Sequence, residues 1–139
     1  MTALKPRGWL VIQEFDGRIV DRAIPTEDPS VAERFRKMGR VVARLLEDRG
    51  CEADWARRLY GHLKAAGLTE VGMEGHLAVR EGGSLGASLD AANFAQVRKE
   101  AVARGLVTNA EIDSALARLN EPDFAVFSPL MFTAWGRAP

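Results

Sequence analysis

Along this chain the apolar residues switch from continuous strand-like runs to helix-like stripes and back, and that switching restricts the fold more than any single motif does. Trp9, Leu10, Val11, Ile12, Gln13, Glu14 and Phe15 follow a Pro6-Arg7-Gly8 turn, and a mostly apolar run bounded in this way predicts a strand buried on both faces. Asp16 to Pro29 is polar and carries Gly17, Pro25 and Pro29, which reads as a connecting loop. A helix is expected next, opened by Asp28 or Ser30, with Ser30 and Glu33 at capping-box spacing. Val31, Phe35, Met38, Val41, Val42, Leu45 and Leu46 fall on one of its faces. Asp54 is placed to cap a second helix, whose apolar positions Trp55, Leu59 and Leu63 step by four and which ends at Gly67.

A second strand begins near Thr69, where Val71, Met73, Gly75, Leu77 and Val79 alternate with their neighbours at a period of two. Glu81 to Ser88 is rich in Gly and Ser and reads as a loop. Ser88 or Asp90 opens a third helix that carries Leu89, Phe94, Val97, Ala101 and Val102 and closes at Gly105. Thr108 and Glu111 form a capping box for a fourth helix, with Ile112, Leu116 and Leu119 on its inner face before Pro122. Phe124 to Trp135 reads as a last strand, interrupted or started by Pro129. Strand, two helices, strand, two helices, strand is an α/β order.

With 139 residues the chain has room for one compact domain, residues 1–139. Hydrophobic residues at 47% and charged residues at 27% are the balance of a globular protein. Nineteen basic side chains against nineteen acidic ones leave no bulk field to draw in nucleic acid or an anionic membrane. Cys51 is the single cysteine, which excludes an internal disulfide and a cysteine-rich zinc cluster and suits a reducing compartment, so a cytoplasmic location is expected. No unbroken apolar run is longer than Trp9 to Ile12, which is too short to span a bilayer.

Leu4-Lys5-Pro6-Arg7-Gly8 followed by Trp9 to Asp16 resembles the fifth-strand segment of class I S-adenosylmethionine (SAM) methyltransferases, where a helix ends in Leu-Lys-Pro-Gly-Gly and a strand follows. Arg7 replaces the first glycine of that turn. Leu63-Lys64-Ala65-Ala66-Gly67-Leu68-Thr69-Glu70-Val71 resembles the junction into the sixth strand. Pro122-Asp123-Phe124 through Trp135-Gly136-Arg137 resembles the terminal seventh strand of the small-molecule methyltransferases. The resemblance implies a partial Rossmann-like fold: a three-stranded mixed sheet of family strands 5, 7 and 6 with about four helices. Segments 17–52 and 81–121 would be helical insertions that cover a substrate. It also implies SAM as cofactor and a small organic molecule as substrate. The family's glycine-rich loop, ribose-binding acid and adenine contacts have no match here, and Met1 would fall inside the helix that leads into the fifth strand. A chain of this kind is expected to recognise the methyl acceptor and to be inactive alone.

Without the family's other strands, the first strand would expose a row of unpaired backbone groups beside apolar faces, and such an edge invites pairing with another chain. A homodimer joined through the two first strands is one expectation, and a separate chain that supplies the SAM-binding half is the other. A non-catalytic small-molecule-binding protein is the alternative function.

Glu14, Phe15 and Asp16 stand at the carboxyl end of the first strand, where open α/β sheets place their ligands, so Glu14 is a candidate base and all three are candidate substrate contacts. His76, within the second strand, is the other candidate base, whereas His62 lies between polar helix neighbours and reads as solvated. Phe94 and Arg98, on the third helix, and Met131, on the last strand, are further candidate substrate contacts. The competing reading of Phe94, at helical spacing from Val97 and Ala101, is core, and that of Arg98 is a solvated or paired surface group. No His-x-x-x-His or Cys-x-x-Cys spacing supports a metal. Gly82-Gly83-Ser84-Leu85-Gly86 lacks the Lys-Ser/Thr ending of a phosphate loop and reads as a connection. Ser84 and Ser88 have no Gly-x-Ser-x-Gly setting.

Overall fold

The computed structural model describes residues 4–18, 21–22, 24 and 28–139. Met1 and Pro25, used above for the start of the chain and for the first loop, lie outside the described residues. The strands are β1 (Trp9–Phe15), β2 (Thr69–His76), β3 (Val79–Glu81), β4 (Ala125–Phe127) and β5 (Met131–Arg137). The helices are α1 (Pro29–Glu47), α2 (Trp55–Ala65), α3 (Leu85–Ala103) and α4 (Asn109–Arg118). The chain is α/β and divides into two compact units. Unit 1 comprises Met1–Ile19, Glu52–Leu77 and Pro129–Pro139; unit 2 comprises Val20–Cys51 and Ala78–Ser128.

Unit 1 holds a sheet of order β1-β5-β2 with α2 on one face. Both pairings are antiparallel, so the sheet is antiparallel and not the mixed one expected. The reason is β5: it separates β1 from β2, which run in the same direction and never pair with each other. Period two gives α2 the face of Leu10, Ile12 and Met73, which close with Leu59, Leu63, Leu68 and Ala134 into a small core. The opposite face of β1 stays open: Trp9, Val11 and Phe15 are about half exposed, which corrects the expectation of a strand buried on both sides. Trp55, expected inside, is also exposed, and its ring stacks on His62 with centroids 4.8 Å apart. Asp54 stands at the N-cap position of α2 without a capping hydrogen bond. Gly67 ends the α2 segment at φ +80°, a backbone conformation that costs glycine nothing.

Entry into β1 runs through a turn in which Gly8 N–H donates to Lys5 O at 2.9 Å. Pro6 occupies its second position and Arg7, at φ +60°, its third, where this turn type requires the left-handed region. That is a glycine position filled by an arginine.

Unit 2 packs α1, α3 and α4 around Phe35, Met38, Leu45, Phe94, Ile112, Leu119 and Phe124, and the segments expected to be helical at 17–52 and 81–121 supply all three helices. Phe35 sits at the centre, with ring centroids 5.5 Å from Phe94 and 5.6 Å from Phe124. The predicted second and last strands each break in two here: Val79 and Val126 belong to a separate β3–β4 pairing in this unit, not to the sheet of unit 1. Caps decide the helix starts. Asp28 accepts from the N–H groups of Ser30 and Val31, so the Ser30/Glu33 box does not form. Ser84 caps α3, four residues before Ser88, which shortens the expected loop and puts Asp90 inside the helix. The Thr108/Glu111 box forms as expected. Leu46 and Leu89, placed on inner faces by periodicity, are exposed.

Asp90 is 2% exposed, and two arginines converge on it. Arg22 approaches it bidentately at 2.8 and 2.7 Å and also donates through Nε to Phe127 O, while Arg80 reaches the same carboxylate at 3.2 Å. Two guanidinium groups on one carboxylate give both of its oxygens charged donors, which burial without partners would leave stranded.

Candidate functional site: the open sheet face of unit 1

Three registers lay out the uncovered face, because paired residues of an antiparallel ladder share a side of the sheet. Phe15, Met131 and His76 form the row at the carboxyl ends of the outer strands. Gln13, Thr133 and Glu74 form the next, with Gln13 Nε2 donating to Thr133 Oγ1 at 3.0 Å. Val11, Trp135 and Gly72 form the third. A Cβ built on Gly72 would lie 2.4 Å from the Trp135 ring, so the missing side chain is what lets the indole lie flat across β2. Arg137 covers the Trp9 ring at 5.6 Å and pairs with Glu70 at 3.0 Å. The face is thus a polar strip between two mostly apolar rows.

Among the expected contacts, Phe15, Met131 and His76 come together in one row. Glu14 does not join them: its register partners are Phe132 and Gly75, on the α2 side, so the two candidate bases occupy opposite faces. The Glu14 carboxylate accepts the N–H of Phe15 at 2.8 Å. Asp16 is 3% exposed and already engaged, accepting from Arg18 N–H at 2.9 Å and from Arg57 at 3.0 and 2.9 Å. Those bonds raise the Arg57 guanidinium above its usual range and leave Asp16 to fasten the loop after β1. Gly17 completes the fastening by donating to Ala53 O at 3.0 Å. Phe94 and Arg98 belong to unit 2, where Phe94 is core and Arg98 bonds Asp113 at 2.5 Å and Asn109 at 3.3 Å. Gln13, Thr133 and Glu74 are site residues that the sequence reading passed over, although the alternation that exposed Val11 and Phe15 carries Gln13 to the same side.

The glycine-rich stretch 82–86 offers no cradle for the SAM that the resemblance implies. Gly82, Gly83 and Ser84 spend their donors inside the protein: Gly82 N–H on Phe124 O, Gly83 N–H on Leu119 O and Ser84 N–H on Glu81 O. A Cβ on Gly82 would fall 1.9 Å from Glu121 O, and one on Gly86 would fall 2.6 Å from Arg80. These are packing glycines, not a ligand cradle. Among the described residues no group of three His, Cys, Asp or Glu side chains converges to hold a metal ion. No described helix is long and apolar enough to cross a membrane. Neither the models of known protein families nor the curated proteins include a match to this chain.

Proposed function

We propose that this chain is the acceptor-binding part of a methyltransferase-like fold, in which the open face of unit 1 holds a small organic molecule and the chain's own residues supply no SAM site. The observation that carries the reading is the sheet order β1-β5-β2, the order the resemblance implies for family strands 5, 7 and 6. The left-handed Arg7 supports it, since the corresponding position in the resembled turn is a glycine. Phe15, Met131 and Trp135 would grip a ring by contact, and Gln13, Glu74 and His76 would meet its polar substituent. His76, exposed at the strand end, would accept a proton from a bound hydroxyl or amine. On this reading the chain binds the acceptor and does not itself donate the methyl group.

Isothermal titration separates the parts of this reading. Saturable heat is expected with simple phenols or aromatic amines, weakened by Phe15→Ala and by Met131→Ala, and none with millimolar SAM. Micromolar binding of SAM would overturn the reading that this chain lacks a donor site. Ligand binding indifferent to both substitutions would overturn the site.

A further inference from the structure

β1 is a sheet edge with a defined set of free backbone groups. Ala138 N–H donates to Gly8 O at 2.8 Å at one end of the β1–β5 ladder, and Asp16 N–H donates to Leu130 O at 2.9 Å at the other. Antiparallel bonding alternates, so Leu10, Ile12 and Glu14 also face β5, while Trp9, Val11, Gln13 and Phe15 turn their N–H and C=O groups outward. The last outward N–H, that of Phe15, is taken by the side chain of Glu14. This leaves Trp9, Val11 and Gln13 as the open stretch, flanked by half-exposed apolar side chains.

We propose that a second copy of this chain pairs with β1 about a two-fold axis through Val11, forming a continuous sheet of order β2-β5-β1-β1-β5-β2. In this register Val11 faces Val11 of the second copy and Trp9 faces Gln13, so every free N–H meets a carbonyl and none is left over. Shifting the axis to Ile12 would bring in the Phe15 N–H, which Glu14 already occupies. Shifting it to Leu10 would set Gln13 against Arg7, whose left-handed conformation lies outside the strand. Charge agrees with the chosen register. The exposed Lys5 and Arg7 at the start of one strand come beside the exposed Glu14 at the end of the other. Glu14 is therefore an edge stop: it ends the pairing ladder and fixes its length. The pairing rests on the β1 edge alone, so its failure leaves the acceptor site standing.

Light scattering on the full chain at micromolar concentration is expected to give a dimer. Val11→Pro removes one outward N–H that β5 does not use, and is expected to give a monomer with unchanged circular dichroism. Cysteine cross-linking reads the register in a Cys51→Ser background. Val11→Cys is expected to form a disulfide-linked dimer under mild oxidation, because directly opposed strand positions fall within disulfide range. Ile12→Cys is expected to stay uncross-linked. A monomeric parent chain, a dimer that survives Val11→Pro, or cross-linking of the Ile12→Cys variant in place of the Val11→Cys variant would each overturn the proposal.

Discussion

The two units solve the same burial problem differently. Unit 2 surrounds its aromatic centre: Phe35, Phe94 and Phe124 are each at most 5% exposed, and the one carboxylate drawn inside, Asp90, meets two arginines. Unit 1 buries only the α2 side of its sheet and leaves Trp9, Val11 and Phe15 half exposed on the other. Unit 2 still exposes aliphatic side chains such as Leu46, Leu85 and Leu89, but none of its three central rings. An open aromatic sheet face beside a free strand edge keeps both apolar area and backbone donors available, so recognition is expected in unit 1 and scaffold stability in unit 2.

The sharpest way to break that contrast is to truncate one phenylalanine in each unit. Phe94→Ala opens a cavity in the closed core and is expected to cost about 3–5 kcal/mol in denaturant unfolding. Phe15→Ala removes an exposed ring and is expected to stay within about 0.5 kcal/mol. Equal losses would erase the distinction between the units. A smaller effect concerns pH. Lys37 at 2.6 Å and the N–H and hydroxyl of Thr108 hold the Glu111 carboxyl down from 4.5 to about 2. A carboxyl depressed by folding stabilises unit 2 fully above pH 4.5, and that contribution disappears as pH falls through about 2. Glu111→Gln should therefore flatten the acid limb of the stability curve between those values; an unchanged limb would place the titrating groups elsewhere.

Local signals carried far along this chain. The turn before Trp9, the Thr108/Glu111 box and the glycines at 67 and 105 mark element ends by chemistry confined to a few residues, and each sits where its spacing puts it. Failures came where partners are distant in sequence. Nothing around Asp90 announces Arg22, 68 residues away, and so a helix-opening residue turned out to be a buried ion-pair centre. Nor does Asp16 announce Arg57, 41 residues away, which is why a candidate substrate contact is a loop fastener. The predicted second strand kept its alternation through Val79, yet the chain changes sheets after His76, a choice made by tertiary pairing and not by period. Within the candidate site, Phe15 was placed at a strand end, whereas His76 and Met131 were read inside longer strands and only the strand pairing brings them into its row. The side of the sheet taken by Glu14 depends on register across β5, and register is invisible until the strands are paired.

The most direct test of unit 1 as the recognition surface is a backbone and side-chain NMR titration of the whole chain with a simple phenol. Saturable shifts confined to Gln13, Phe15, Glu74, His76, Met131, Thr133 and Trp135, with the Phe35, Phe94 and Phe124 signals unmoved, are the predicted result. Shifts centred on the unit 2 core, or none at any concentration the phenol can reach, would contradict it.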